Sequence, residues 1–257
     1  MQKTAIILGI SLIAGSVQAA QTNSGSCTAM SGKTANALLE LYTSEGCSSC
    51  PPADEWLARF RASKLYPDRV VPLALHVDYW NYLGWEDPFS DKRHTQRQYS
   101  VAHRHRSRTV YTPQLLLNGK EFLHWRHRGM TAVESAIMTP ARADLTLTLE
   151  REGNVLNITV KARAAERGVP DLFIVLYEND LTNHVRAGEN EGRTLRHDFV
   201  ARRWLGPKPL SDDGTVHVTQ RLELDRTWKV NDLGVAAFVQ DRDNGEVWQV
   251  LARPLCS

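Results

Sequence analysis

Residues 37–139 predict an α/β domain and residues 140–257 an all-β sandwich domain, on three observations. Up to Met138 short apolar strands alternate with amphipathic helical stretches. After Pro140 the helical period disappears and strand follows strand. Between the first strand and the first helix stand two cysteines three positions apart, Cys47 and Cys50.

In chain order, Lys3 gives a positive start and residues 5–15 an apolar run too short to span a bilayer. Val17-Gln18-Ala19 places small residues where a signal peptidase cuts. Residues 1–19 are therefore read as a secretory signal peptide and 20–36 as an N-terminal tail. The mature protein is expected to be periplasmic or secreted, with no membrane contact once the signal is removed. Residues 38–43 form the first strand, 53–63 a helix, and the apolar run 70–77 a buried strand. A helix follows within 91–105. Leu115-Leu116-Leu117 is a strand, Asn118-Gly119 a hairpin turn and Glu121-Phe122-Leu123 its partner, and 131–138 closes the unit as a helix. Strand, helix, strand, helix, hairpin, helix is the order of a thioredoxin-like core. Beyond it, 144–150 and 155–160 alternate cleanly around Glu152-Gly153-Asn154. Further strands are read at 172–177, 194–203, 216–224, 235–240 and 247–252.

Composition narrows the function. A formal net charge of +2 over 257 residues excludes a general polyanion binder, so no nucleic-acid partner is expected. The basic run from Lys92 to Arg108 is either a solvated helix face or an electropositive rim beside the cysteines. Two cysteines at C-x-x-C spacing between strand and helix are the arrangement of a redox dithiol, because a helix N-terminus stabilises a thiolate. Zinc asks for four ligands and there is no second C-x-x-C, so neither a metal nor any other cofactor is expected. Four cysteines allow three pairings, and if Cys47 and Cys50 close on each other, Cys27 and Cys256 remain as a structural disulfide.

Several long phrases occur in order: Leu41-Tyr42-Thr43-Ser44-Glu45-Gly46-Cys47-Ser48-Ser49-Cys50-Pro51-Pro52-Ala53-Asp54, His76-Val77-Asp78-Tyr79-Trp80, Leu83-Gly84-Trp85-Glu86-Asp87-Pro88-Phe89 and Val110-Tyr111-Thr112-Pro113-Gln114. With them the chain resembles the family called domain of unknown function 1223, secreted bacterial proteins with a thioredoxin-like core. The resemblance implies that Cys47, Cys50 and Pro113 stand where a thioredoxin dithiol and its cis-proline stand, but it supplies no activity. Two features depart from ordinary thioredoxins. Pro51-Pro52 delays the helix start, which moves Cys47 away from the helix dipole. The aromatic stretch 78–88 is either a plug between domains or a substrate platform, in which Trp80 and Trp85, with Thr112, would bind the partner chain.

The leading expectation is thiol–disulfide exchange with protein thiols or disulfides, Cys47 being the more exposed thiol and Cys50 resolving the mixed disulfide. Two other classes stay open. One is a Cu(I)-binding module using the same cysteines with His76 or His124. The other is a non-catalytic interaction protein that binds through its sandwich.

Overall fold

The computed structural model describes residues 24–256. The expected signal peptide and the first residues of the tail lie outside them. Two strands, β2 (Ala37–Thr43) and β3 (Val70–His76), are buried along their whole length. They pair in parallel from Ala37↔Val70 to Thr43↔His76, as continuous apolar runs covered on both faces do. Helix α1 (Pro51–Ala58) connects them, and helix α2 (Lys92–Arg104) follows β3. Strand β4 (Gln114–Leu117) lies antiparallel to β2 and turns into β5 (Lys120–Glu121). The turn residues Asn118 and Gly119 have φ of 49° and 82°, the left-handed pair that an Asn-Gly dipeptide supplies at least cost. Helix α3 (Trp125–Ala136) completes this part.

The expected α/β thioredoxin-like domain followed by a separate all-β sandwich is not what the chain builds. Among the described residues fourteen strands accompany three α-helices. The sheet begun by β2 and β3 also does not stop at β3. Strand β11 (Val200–Pro209) joins β3 in parallel at Val200↔Ala74 and runs antiparallel to β8 (Pro170–Glu178). Strands β13 (Leu233–Asp241) and β14 (Val247–Pro254) continue it. The result is one eight-stranded sheet, β14-β13-β8-β11-β3-β2-β4-β5. The physical reason is the edge of β3: a strand buried along its whole length leaves unpaired amides and carbonyls unless another strand covers it, and β11 does so. Helical periodicity before residue 139 reported local elements correctly but carried no signal for this distant pairing.

The second sheet is β1-β6-β7-β12, formed by β1 (Ser24–Met30), β6 (Ala143–Glu152), β7 (Val155–Ala164) and β12 (Thr215–Glu223). The stretch expected as a loose tail is thus paired, Cys27 opposite Leu149. Two cores result from strict alternation. In β8, Leu172, Ile174 and Leu176 face the four-stranded sheet, packing on Leu147, Leu149, Ile158 and Val160. Their neighbours Phe173, Val175 and Tyr177 face the other way, into the core shared with Trp56, Leu57 and Trp125 of the helices. Strands β9 (Leu181–His184) and β10 (Thr194–His197) form a separate hairpin that packs on α1.

Candidate functional site

The site forms where β2 runs out. Thr43 ends the strand and its hydroxyl donates to Asp54 Oδ2 at 2.9 Å, fixing α1 over the strand end. The amide of Gly46 donates to Ser44 Oγ at 3.0 Å and that of Cys47 to the Ser44 carbonyl at 3.2 Å, so the chain turns at once. Gly46 sits at a close approach: a Cβ there would lie 3.0 Å from Trp80 Cβ, tighter than an ordinary contact. Helix α1 begins at Pro51, with Cys50 as its N-cap. Cys47 and Cys50 are disulfide-bonded, their Cα atoms 5.5 Å apart.

Cys47 was expected to be the more exposed thiol. Instead both cysteines are buried, at 1% and 0%, while Ser48 and Ser49 between them are exposed. The cover comes from the turn between β9 and β10. Asn190 Nδ2 donates to the carbonyls of Glu45 (2.8 Å) and Cys47 (2.9 Å), and the Ser48 amide donates to Glu189 Oε2 at 2.9 Å. That amide holds the Glu189 carboxyl below its usual range.

Beneath the cysteines lies a dense polar cluster. Glu45 is fully buried. Its Oε1 accepts from His197 Nε2 (3.0 Å), and its Oε2 from Trp85 Nε1 (2.8 Å) and Asn183 Nδ2 (2.9 Å). Asp87 Oδ2 accepts from the Glu45 amide (2.9 Å) and from His76 Nδ1 (2.7 Å). A carboxylate only accepts, so each imidazole has its proton on the nitrogen facing its carboxylate. The rings of His76 and His197 meet edge to face, centroids 4.8 Å apart, with Phe89 against both. Asp54 lies one turn after Cys50 on the same face of α1. Burial raises its carboxyl, opposed by His197 and His76. For His76 burial works to lower the imidazole, but the Asp87 carboxylate beside it prevails and the net shift is upward. Burial works to raise Asp87, and His76 with the amides of Glu45 and Phe89 brings it below the usual carboxylate range.

The residues expected from the sequence fall as follows. The Thr112–Pro113 peptide is cis. Trp80 links its loop to the cysteines: Nε1 donates to Thr112 Oγ1 at 2.8 Å while the residue's Cβ faces Gly46. Trp85 spends its indole N–H on Glu45. His76 is in the cluster, whereas His124 is exposed at the start of α3. Cys27 and Cys256 are disulfide-bonded, Cα atoms 6.1 Å apart. Most of the basic run is solvated, with Lys92, Arg93, His103, His105, Arg106 and Arg108 exposed, but Arg97 turns inward and is buried against Glu40. Missed altogether were Asn183, Glu189, Asn190 and His197, which arrive from far along the chain on a hairpin whose strands are only four residues each. Glu45, Asp54 and Asp87 stand in phrases already noted, and the juxtaposition of three acids with His76 was the signal available there.

No curated protein matches the chain. Two solved structures do. One is the crystal structure of a structural-genomics target from Agrobacterium tumefaciens, 26% identical, covering 88% of this chain and 96% of that one with a TM-score of 0.60. The other is HBP35 of Porphyromonas gingivalis, 17% identical, covering 88% of this chain and 76% of that one, TM-score 0.68, a likeness of fold alone. The family described as protein of unknown function (DUF1223) matches residues 38–240, from β2 into β13, and so takes in every residue of the site. The chain belongs to the DUF1223 family.

Proposed function

We propose that this protein carries out thiol–disulfide exchange through Cys47 and Cys50 in an oxidising compartment outside the cytosol. The supporting observation is the pair itself: two cysteines bonded to each other across one turn, at the N-cap of α1, behind two exposed serines. A partner thiolate attacks Cys47 Sγ. The Cys47–Cys50 bond breaks and its electron pair leaves on Cys50, whose thiolate the helix N-terminus stabilises. A second partner thiolate then displaces Cys47, so the partner departs as a disulfide and the protein holds the dithiol. Run in reverse, the same steps reduce a partner disulfide. The Thr112–Pro113 loop, fixed by Trp80, is assigned to positioning the partner chain. Among the described residues no helix is long and apolar enough to cross a membrane, and the second bridge, Cys27–Cys256, fits a compartment where disulfides persist.

Equilibration with glutathione mixtures, followed by alkylation and mass spectrometry, tests the reading. Cys47–Cys50 is expected to interconvert while Cys27–Cys256 stays oxidised. Cys50→Ser is expected to trap a mixed disulfide with a peptide disulfide, and Cys47→Ser none. A pair that stays oxidised at every ratio, or equal trapping by both variants, overturns the proposal.

A further inference from the structure

The polar cluster under the cysteines has a charge balance that the side chains alone leave open. Glu45, Asp54 and Asp87 are all buried, and the groups of opposite potential charge that pair with Glu45 and Asp87 are two imidazoles. No lysine or arginine among the described residues forms an ion pair with any of the three. Buried carboxylates without a compensating cation are costly.

The two histidines are arranged in one particular way. Each commits one ring N–H to a carboxylate, His76 Nδ1 to Asp87 and His197 Nε2 to Glu45. The other nitrogen of each, His76 Nε2 and His197 Nδ1, is buried and has no hydrogen-bond partner. In the neutral form of each ring, the tautomer fixed above leaves the free nitrogen with a lone pair. A buried imidazole that donates to a carboxylate on one side and offers a lone pair on the other is the disposition of a metal ligand, the carboxylate orienting the ring and raising its basicity. One donor atom each from Asp54, His76 and His197 lies within 4.8 Å of the others. Donors around a tetrahedral zinc ion with bonds of about 2.0–2.1 Å stand about 3.3 Å apart, so the set closes on an ion by contracting about 1.5 Å at most.

We infer that Asp54, His76 and His197 bind one divalent transition-metal ion such as zinc, with Glu45 and Asp87 orienting the two imidazoles. Two nitrogens and one carboxylate oxygen suit such an ion better than magnesium or calcium, which prefer all-oxygen sets. The ion supplies the missing positive charge, and three protein ligands leave at least one position for water. The cysteines are not in the donor set. The inference therefore does not depend on disulfide exchange, and each can fail without the other.

Cobalt(II) and zinc(II) titration of the full protein, stripped with a chelator and with both disulfides intact, tests it. The expected result is one ion per chain, with visible cobalt absorption that zinc displaces. Histidine-detected NMR during the zinc titration is expected to move His76 and His197 first. Asp54→Asn and His197→Gln are expected to weaken binding by at least about 10-fold, and the Cys47→Ser/Cys50→Ser variant to bind as the parent does. The inference is overturned by no uptake, by shifts confined to other histidines such as His103, His124 or His127, or by loss of binding in the dithiol variant. The NMR arm reads the unsubstituted protein, so a variant that fails to fold does not leave the question open.

Discussion

Arg97 shows what one side chain contributes when its charge is taken out of water. Its Nε donates to Glu40 Oε1 at 2.6 Å and its Nη atoms to Gln240 Oε1 at 3.2 Å. The guanidinium lies over the rings of Phe173, Trp204 and Phe238 at 4.6 to 5.3 Å. Burial works to lower its pKa, but the Glu40 carboxylate and Tyr42 outweigh it, and the net shift of the guanidinium is upward. Removing one member strands the other as a buried charge. Arg97→Met is expected to cost about 3–5 kcal/mol in urea unfolding, and the double change Arg97→Met/Glu40→Leu to recover most of it. A double variant no more stable than the single one contradicts this account. The sequence placed Arg97 within a basic run and said nothing more. Its carboxylate is 57 positions away and its glutamine 143, and charge patterning reports only near neighbours.

At the scale of elements, the hairpin of β9 and β10 is the part of the chain bonded over the cysteine turn. Its turn reaches the Cys47 carbonyl through a single amide group, Asn190 Nδ2, which also holds Glu45. Asn190→Ala removes both of these hydrogen bonds, together with the one its Oδ1 accepts from Arg193 Nη1 at 2.8 Å, without touching the cysteines or α1. Reduction of Cys47–Cys50 by dithiothreitol is expected to become several-fold faster, with a loss of about 1–3 kcal/mol in global stability because the buried carbonyls lose their donor. An unchanged reduction rate means that the turn does not gate the pair. How far each element was legible follows from its length and its turn chemistry. The hairpin at Asn118-Gly119 was legible because a left-handed dipeptide has few substitutes. The ten-residue strands β6 and β7 were legible because alternation over that length is unambiguous. Strand β9, four residues long, is too short for a period to register, and β10 reads only as the start of one strand over 194–203, which the structure divides into β10 and β11. The hairpin that carries half of the cluster around Glu45 was therefore not legible.

For the whole molecule, the decisive fact is that the two sheets are tied at their margins. Cys27 lies on β1 and Cys256 just beyond β14, an end strand of the large sheet. The pairing was readable from cysteine count and elimination, whereas the joining of β3 to β11 depends on a contact between residues more than a hundred positions apart. A bridge spanning 229 positions constrains the unfolded chain strongly, by about 5 kcal/mol in the simple entropic treatment. Cys27→Ser/Cys256→Ser is expected to lower unfolding free energy by about 2–5 kcal/mol, measured by calorimetry or denaturant titration. A loss below about 1 kcal/mol argues that β1 is held by its ladder on β6 alone.

That same bridge makes the described chain a covalent ring. A single proteolytic cut between Cys27 and Cys256, for instance in the exposed connection at residues 165–169, produces two pieces that stay one molecule until a reductant acts. Cys47, Asp54 and His76 lie on one piece, Asn190 and His197 on the other. The nicked protein therefore keeps both halves of its site in a single covalent body, and loses that guarantee only when the Cys27–Cys256 bond is reduced.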